Sequence, residues 1–422
     1  MIQEPKGPSS FKIFLVGLIG NVMELYDFAI YGFFAATIGR LFFPSDDPVT
    51  SIIASFGAFA AGFLVRPLGG IVFGRIGDLV GRQRAMFLSV IVMAVPTVGM
   101  GLLPTYADIG ILAPILLILL RIAQGLSIGG EFTSSLVFLV ENAPPARRAF
   151  FAVWGGWGAT FGTLLGSSVG YLFTVMLTSD QLNSWGWRLP FILGGFIGLF
   201  GYWLRHGLHE HKPAATSKAP EKDIFTKHKW NVIRVVLLNI GFSVAFYTIF
   251  VYAVSFLHMV SMFSEAKALR NNSIAMVMVL MIMPFSAMMA DMYGRKKMLL
   301  MGFGLLILTA IPLFKLMGLG FPIATLSSEL ALAFPVGLIS GAISAMNVEV
   351  MHRDVRCTGL AFAYNLSIGL FGGITPMLVS WLTAYLGSSS APGYWVVATS
   401  AISFLTILLA IPETYRKNMA VD

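Results

Sequence analysis

The chain has 422 residues, 57% of them hydrophobic and 11% charged, with a formal net charge of +8. A soluble protein carries about 25% charged residues, so a water-soluble globule is excluded, as is a nucleic-acid binder read from the net charge alone. The single cysteine, Cys357, excludes an intrachain disulfide framework.

A bilayer takes about 20 apolar residues to cross as a helix. On that measure the apolar runs predict twelve helices, at 12–40, 50–74, 85–104, 110–142, 149–177, 187–206, 231–259, 271–291, 297–316, 322–350, 357–386 and 393–411. The expected fold is an all-α membrane protein of two pseudo-symmetric six-helix bundles. The first covers residues 1–205 and the second 231–422, with a polar, solvated, lysine-rich linker at 206–230. Residues 1–10 are polar and the first apolar run carries two carboxylates, so no cleaved signal peptide is expected.

The halves echo one another. Gly74-Arg75-Ile76-Gly77-Asp78-Leu79-Val80-Gly81-Arg82-Gln83-Arg84 is a short basic turn between two apolar runs. Asp291-Met292-Tyr293-Gly294-Arg295-Lys296-Lys297 repeats the pattern, and Asp78 and Asp291 stand 213 residues apart. Glu141 and Arg148 recur as Glu349 and Arg356 at an offset of 208. Duplicated membrane units of this kind point to a transporter with its site between the halves. With the N-terminus placed in the cytoplasm, 21 Lys and Arg fall on that side, five on the other and two within the membrane. Basic residues mark cytoplasmic loops, so both termini are expected there, in the plasma membrane of a bacterium.

Charge within the bilayer is costly and marks function. Five deep charges stand out: Glu24, Asp27, Arg66, Arg121 and Glu131. At 1.5 Å per residue, Glu24 and Asp27 lie roughly 18–22 Å along the first helix from Lys12; Arg121 lies about 17 Å into the fourth helix and Glu131 about 15 Å beyond it. Glu24 and Asp27 share a helix face. Three acids against two arginines leave one carboxylate to carry a proton; the alternative is a set of static buried ion pairs, which stabilise poorly. Trp154, Trp157, Tyr247 and Tyr252 are either packing or a cage for a quaternary ammonium. Gly158, Gly162 and Gly166 predict a close helix contact. No metal-ligand cluster, phosphate loop or nucleophile–base pair appears, so neither a cofactor nor an enzyme is expected; the energy source would be a proton gradient.

These motifs carry a resemblance over about residues 17–414. The loop at Gly74–Arg84 and Arg121-Ile122-Ala123-Gln124-Gly125 resemble signatures of the major facilitator superfamily. Gly20-Asn21-x-x-Glu24-x-Tyr26-Asp27-Phe28-x-x-Tyr31-Gly32, Arg66-Pro67-Leu68-Gly69-Gly70 and Gly129-Gly130-Glu131 resemble its metabolite:proton symporters. Tyr364-Asn365-Leu366-Ser367, followed by Phe371-Gly372-Gly373-Ile374-Thr375-Pro376, is similar to the proline/betaine and citrate branches. One departure is Ala287, where the second loop copy would begin with glycine.

The resemblance implies alternating-access uptake of a small carboxylated or zwitterionic metabolite with a proton, by a monomer. Glu24, Asp27, Arg121 and Glu131 would couple the proton. Asn21, Tyr31, Arg66, Arg121, Trp154, Trp157, Tyr247, Tyr252 and Asn365 would contact substrate. It also implies a gate on the basic side. Asp78 would face the start of the eleventh helix near Thr358, and Asp291 the start of the fifth near Ala149. Glu141 would pair with Arg82 and Glu349 with Arg295. The C-terminal coiled coil of osmosensing members is not seen after Pro412-Glu413-Thr414, so osmotic activation is not expected. Rival functions are a proton-antiport exporter and a membrane sensor that binds ligand without moving it.

Overall fold

The computed structural model describes residues 10–70, 72–73, 82–127, 131–205 and 220–416. Among the described residues there is no strand. The first half runs through α1 (Ser10–Phe33), α2 (Ala35–Phe42), α3 (Pro48–Leu64), α4 (Arg82–Leu102), α5 (Leu112–Ser127), α6 (Glu131–Glu141), α7 (Arg148–Met176) and α8 (Arg188–Arg205). A short helix, α9 (Pro220–Thr226), precedes α10 (Lys229–Phe246), a π turn at Tyr247–Tyr252 and α11 (Ala253–Met259). Then come α12 (Glu265–Tyr293), α13 (Arg295–Met317), α14 (Pro322–Val350), α15 (Arg356–Ser367), a second π turn at Ile368–Gly372, α16 (Gly373–Leu386) and α17 (Ala391–Leu409).

Among the described residues nine helices are long and apolar enough to cross a membrane, and α1 with α2 makes a tenth across a 61° bend. The shorter apolar stretches Leu88–Leu102 and Arg188–Gly198 stand where the third and sixth spans are expected. The bend was not legible in the sequence, which is apolar straight through it. It swings α2 onto the start of α3, where a side chain at Gly39 would meet the Ser51 carbonyl at 2.7 Å. At the head of α3, the Asp47 carboxylate accepts from the backbone N–H groups of Val49 and Thr50, and Pro48 takes the first turn.

The linker differs from a fully solvated connection. Ile224 is buried and the Phe225 ring meets Phe362 edge-on at 5.2 Å, so α9 is docked against α15. Ile224 supplies burial that a polar tether lacks, while Phe225 stays largely exposed.

The halves meet where α7 packs on α12 and α14, α3 on α16, α6 on α15, and α1 on the π turn at Tyr247–Tyr252. Small residues permit the close approach. A Cβ on Gly32 of α1 would stand 2.5 Å from Val251 of the π turn, and one on Gly373 would stand 2.2 Å from Phe63 of α3. The face carrying the basic turns is called the basic face below.

Candidate functional site

A cavity of about 60 Å³ lies between the halves. A water molecule needs about 10–15 Å³ of such space, so this closed form has room for only a few. The first half contributes Glu24, Arg66, Phe132 and Thr160; the second contributes Asn239, Ser243, Tyr247, Ser340, Asn347 and Tyr364. Among the described residues, Glu24 and Arg66 are the two charged ones of its lining. They are joined at 2.7 Å and both are buried.

Each wall has a local cause. Arg66 sits just past α3, where Pro67 offers no backbone N–H and the helix breaks at Val65. Its guanidinium lies over the Phe63 ring at 5.1 Å and the Phe28 ring at 5.7 Å, which fixes its aim at Glu24. On the other side the π turn rotates Tyr247 into the cavity, and a side chain at Gly372 would touch that ring at 2.8 Å. Phe132 and Tyr364 stack at 4.9 Å across the two halves. The Asn239 and Asn347 amides exchange hydrogen bonds of 2.8 and 3.1 Å between α10 and α14.

The other deep charges lie elsewhere. Asp27 accepts from the Thr97 hydroxyl at 2.8 Å, and a side chain at Gly194 would strike its carboxylate at 2.5 Å, so it faces α4 and α8. Arg121 donates to the Gln124 side-chain amide oxygen at 2.7 Å and lies 4.4 Å from both the Phe28 and Tyr31 rings. Gln124 in turn donates to Thr97 at 2.6 Å. These residues form a polar layer inside the first half, beside the cavity wall rather than in it. The Glu131 side chain lies outside the described residues.

Of the expected substrate contacts, Arg66 and Tyr247 line the cavity. The others do not, because their polar ends are committed to helix packing. Tyr31 donates to the Ser55 carbonyl, Asn21 to Gly155, Trp157 to Leu280 and Asn365 to Ala361, while Tyr252 bonds Thr383. Trp154 packs at 5.9 Å from Trp157. Sequence reasoning passed over Asn239, Ser243, Ser340, Ser344 and Asn347. Their spacings of three and four residues along two apolar helices are the signal that would have found them. It also passed over Glu329 on α14, a sixth deep charge and fully buried.

At the basic face, Asp291 accepts from the backbone N–H groups of Ala149 and Phe150, at 3.0 and 2.8 Å, across the α7–α12 seam. A carboxylate there meets the positive end of α7. Arg295 bonds both Asp291 and Glu349, at 3.0 and 3.2 Å. Glu141 is held by Arg356 of the other half at 2.7 Å, and its expected partner Arg82 has its side chain outside the described residues. Arg356 follows a short turn that aims it across the seam, a direction the repeat spacing does not carry. Asp78 and the Arg82 side chain lie outside the described residues. At the opposite face, Ser167 donates to the Leu269 carbonyl at 3.1 Å and accepts from Asn272 at 3.2 Å. Among the described residues, the halves are thus in contact at both faces.

Contact at both faces around a central cavity is the layout of an alternating-access carrier. The profile of the Major Facilitator Superfamily matches residues 17–363. The chain belongs to that superfamily. The proline/betaine transporter of Salmonella typhimurium is 33% identical over 412 residues, covering 94% of this chain and 82% of that protein. The citrate-proton symporter of Klebsiella pneumoniae is 32% identical over 408 residues, covering 94% and 90%. Among solved structures, the D-xylose-proton symporter superposes with a TM-score of 0.78 over 97% of this chain and 99% of that one, at 19% identity. The chain is therefore an integral membrane transporter of a small molecule, and not an enzyme. It is related to proline/betaine and citrate proton symporters.

Proposed function

We propose that the protein takes up a small zwitterionic metabolite of the proline or betaine type together with a proton, with its basic face in the cytoplasm. The observation that carries this reading is the Glu24–Arg66 ion pair in the cavity wall. A substrate carboxylate competes with Glu24 for Arg66, whose planar fork suits it. Once Arg66 turns to the substrate, the buried Glu24 carboxylate has lost that cation and takes a proton. The cavity is then left with one net positive charge, which a single carboxylate neutralises. Phe132, Phe246, Tyr247 and Tyr364 supply π faces for an ammonium or quaternary group. Citrate, with three carboxylates, would find one arginine in this lining, so a zwitterion fits the chemistry better.

The test is uptake by proteoliposomes of labelled proline, glycine betaine and citrate, with and without an inward proton gradient. Accumulation of proline or betaine only under the gradient supports the proposal. Accumulation of citrate alone, or efflux driven by the same gradient, would replace it.

The orientation has its own check. Cys357 is the single cysteine and is exposed near the start of α15. An impermeant maleimide is expected to leave it unlabelled in intact cells and to label it in inverted vesicles. The reverse pattern would turn the protein over in the membrane.

The contacts of Asp291 form an inner gate in this proposal. In Asp291→Asn one of the two carboxylate acceptors becomes an amide donor facing a backbone N–H. The expected result is a shift of about 1–2 kcal/mol toward the form open at the basic face, the usual size of such a coupling. A cysteine at Ser344 would then be labelled faster from the cytoplasmic side. Labelling as slow as in the parent protein would remove Asp291 from the gate.

A further inference from the structure

Glu329 lies on α14, seven residues on from the start of that helix at Pro322, and is 0% exposed. Neither of its carboxylate oxygens has a hydrogen-bond partner, and the buried hydroxyls of Thr325 and Ser328 have none either. The three residues share one helix face, at spacings of three and four. Four unpartnered oxygens on one buried face of a membrane helix are not explained by packing. In sequence, Glu329 stands 208 residues after Arg121, the same offset that relates Glu141 to Glu349 and Arg148 to Arg356. The two halves thus place opposite charges at equivalent positions.

The face is informative. At 3.6 residues per turn, Glu329 is within about 20° of Ser340 and in line with Asn347, both of which line the central cavity. It therefore continues the cavity stripe about 16 Å toward the external end, beyond Ala333 and Val336. Those two residues are fully buried.

The elements packed against α14 include α12, α13, α7, α10 and the π turn at Tyr247–Tyr252; α7 adds only Tyr171 toward the external end, and the charged groups of α10 lie at the basic face. The other charged or titratable groups toward the external end are Glu265, Lys267 and Arg270 on α12, Lys315 on α13, and Tyr252 and His258 on the π turn and α11. None of them bonds Glu329.

We propose that Glu329, with Thr325 and Ser328 beside it, is a proton-binding site loaded from the external side, and that its protonation is the condition for that side to close. The inference deepens the proton-coupled reading above and rests on it for its place in transport. When the external end opens along the α14 stripe, water reaches Glu329 and a proton passes from it to a carboxylate oxygen. The neutral acid can then be covered. The bare carboxylate cannot, since burying it without a cation costs several kcal/mol. Closure of the external end is in this way tied to the external proton concentration, separately from the Glu24–Arg66 pair.

The test needs no substrate. Ala333→Cys is made in a Cys357→Ser background, and Val336→Cys is made alongside in case the first variant folds poorly. Each is labelled from outside with an impermeant thiol reagent over a series of external pH values, correcting for the reagent's own pH dependence with a free thiol. The corrected labelling is expected to rise with pH, by up to about tenfold per unit where the acid titrates. Adding Glu329→Gln should leave labelling low and flat, because the amide needs no proton in order to be covered. An undiminished pH dependence in the Gln variant would overturn the proposal. So would absence of labelling at every pH, or a dependence on sodium in place of protons. A failure of gradient-driven uptake with the labelling pattern intact would instead strike the transport reading and leave this site standing.

Discussion

Arg66→Ala is expected to be the most damaging single substitution in the cavity. Arg66 and Glu24 are both buried and 2.7 Å apart. Removing one member of a buried pair costs about 3–5 kcal/mol, because the other is left uncompensated. Part of that cost is avoided if Glu24 takes a proton. Binding is hit independently: a hydrogen bond to a charged group contributes about 1.5–3 kcal/mol, so affinity for a carboxylated substrate should fall by about 10- to 150-fold.

The double variant Glu24→Gln with Arg66→Gln separates the two effects. It removes both charges, so thermal stability should recover toward the parent value while substrate binding stays lost. Arg66→Lys should fold but bind weakly, since a lysine lacks the planar fork. Melting temperature and equilibrium binding of proline and glycine betaine are the two readouts. Parent-level binding by Arg66→Ala would remove Arg66 from the site.

The fold was legible in hydropathy because a membrane span must be apolar over its length, and the sequence repeats its basic turns at a fixed offset. The Asp291 contact at Ala149 was legible through that repeat, because a helix start is a fixed place for a carboxylate. The site was less so. Depth can be counted from a helix end, and it put Arg121, Glu24 and Asp27 at one level. Direction around the helix, which decides the pairing, cannot be counted in the same way. Arg121 turns into a layer of rings and amides, and Glu24 is met by Arg66 from α3. The polar stripes Asn239, Ser243, Tyr247 and Ser340, Ser344, Asn347 were visible as spacings but carry no charge, and a search for charge passes over them. Glu329 was visible as a lone acid in the apolar stretch of α14, and its repeat partner Arg121 had already been singled out.

The second large effect concerns coupling. Glu24→Gln holds that position permanently in its proton-bound form. In the proposed cycle the substrate carboxylate takes Arg66 and the proton takes Glu24, so in the variant substrate binding at Arg66 is no longer tied to proton uptake at this position. It should still exchange proline or betaine across the membrane at equal pH. It should fail to accumulate either one under a gradient. For one proton per substrate, a difference of one pH unit is 1.36 kcal/mol and sustains about a tenfold concentration ratio. The parent protein should approach that ratio with the membrane potential clamped, and Glu24→Gln should stay near unity. Asp27→Asn makes the comparison sharp. Asp27 bonds Thr97 in the layer behind the wall and does not line the cavity. Its amide can still accept from Thr97, so accumulation should persist, with a modest loss of stability from an added donor in a crowded site. If Asp27→Asn abolished accumulation while Glu24→Gln preserved it, the proton would travel through the polar layer around Arg121, and the Glu24–Arg66 pair would be a binding and packing element alone.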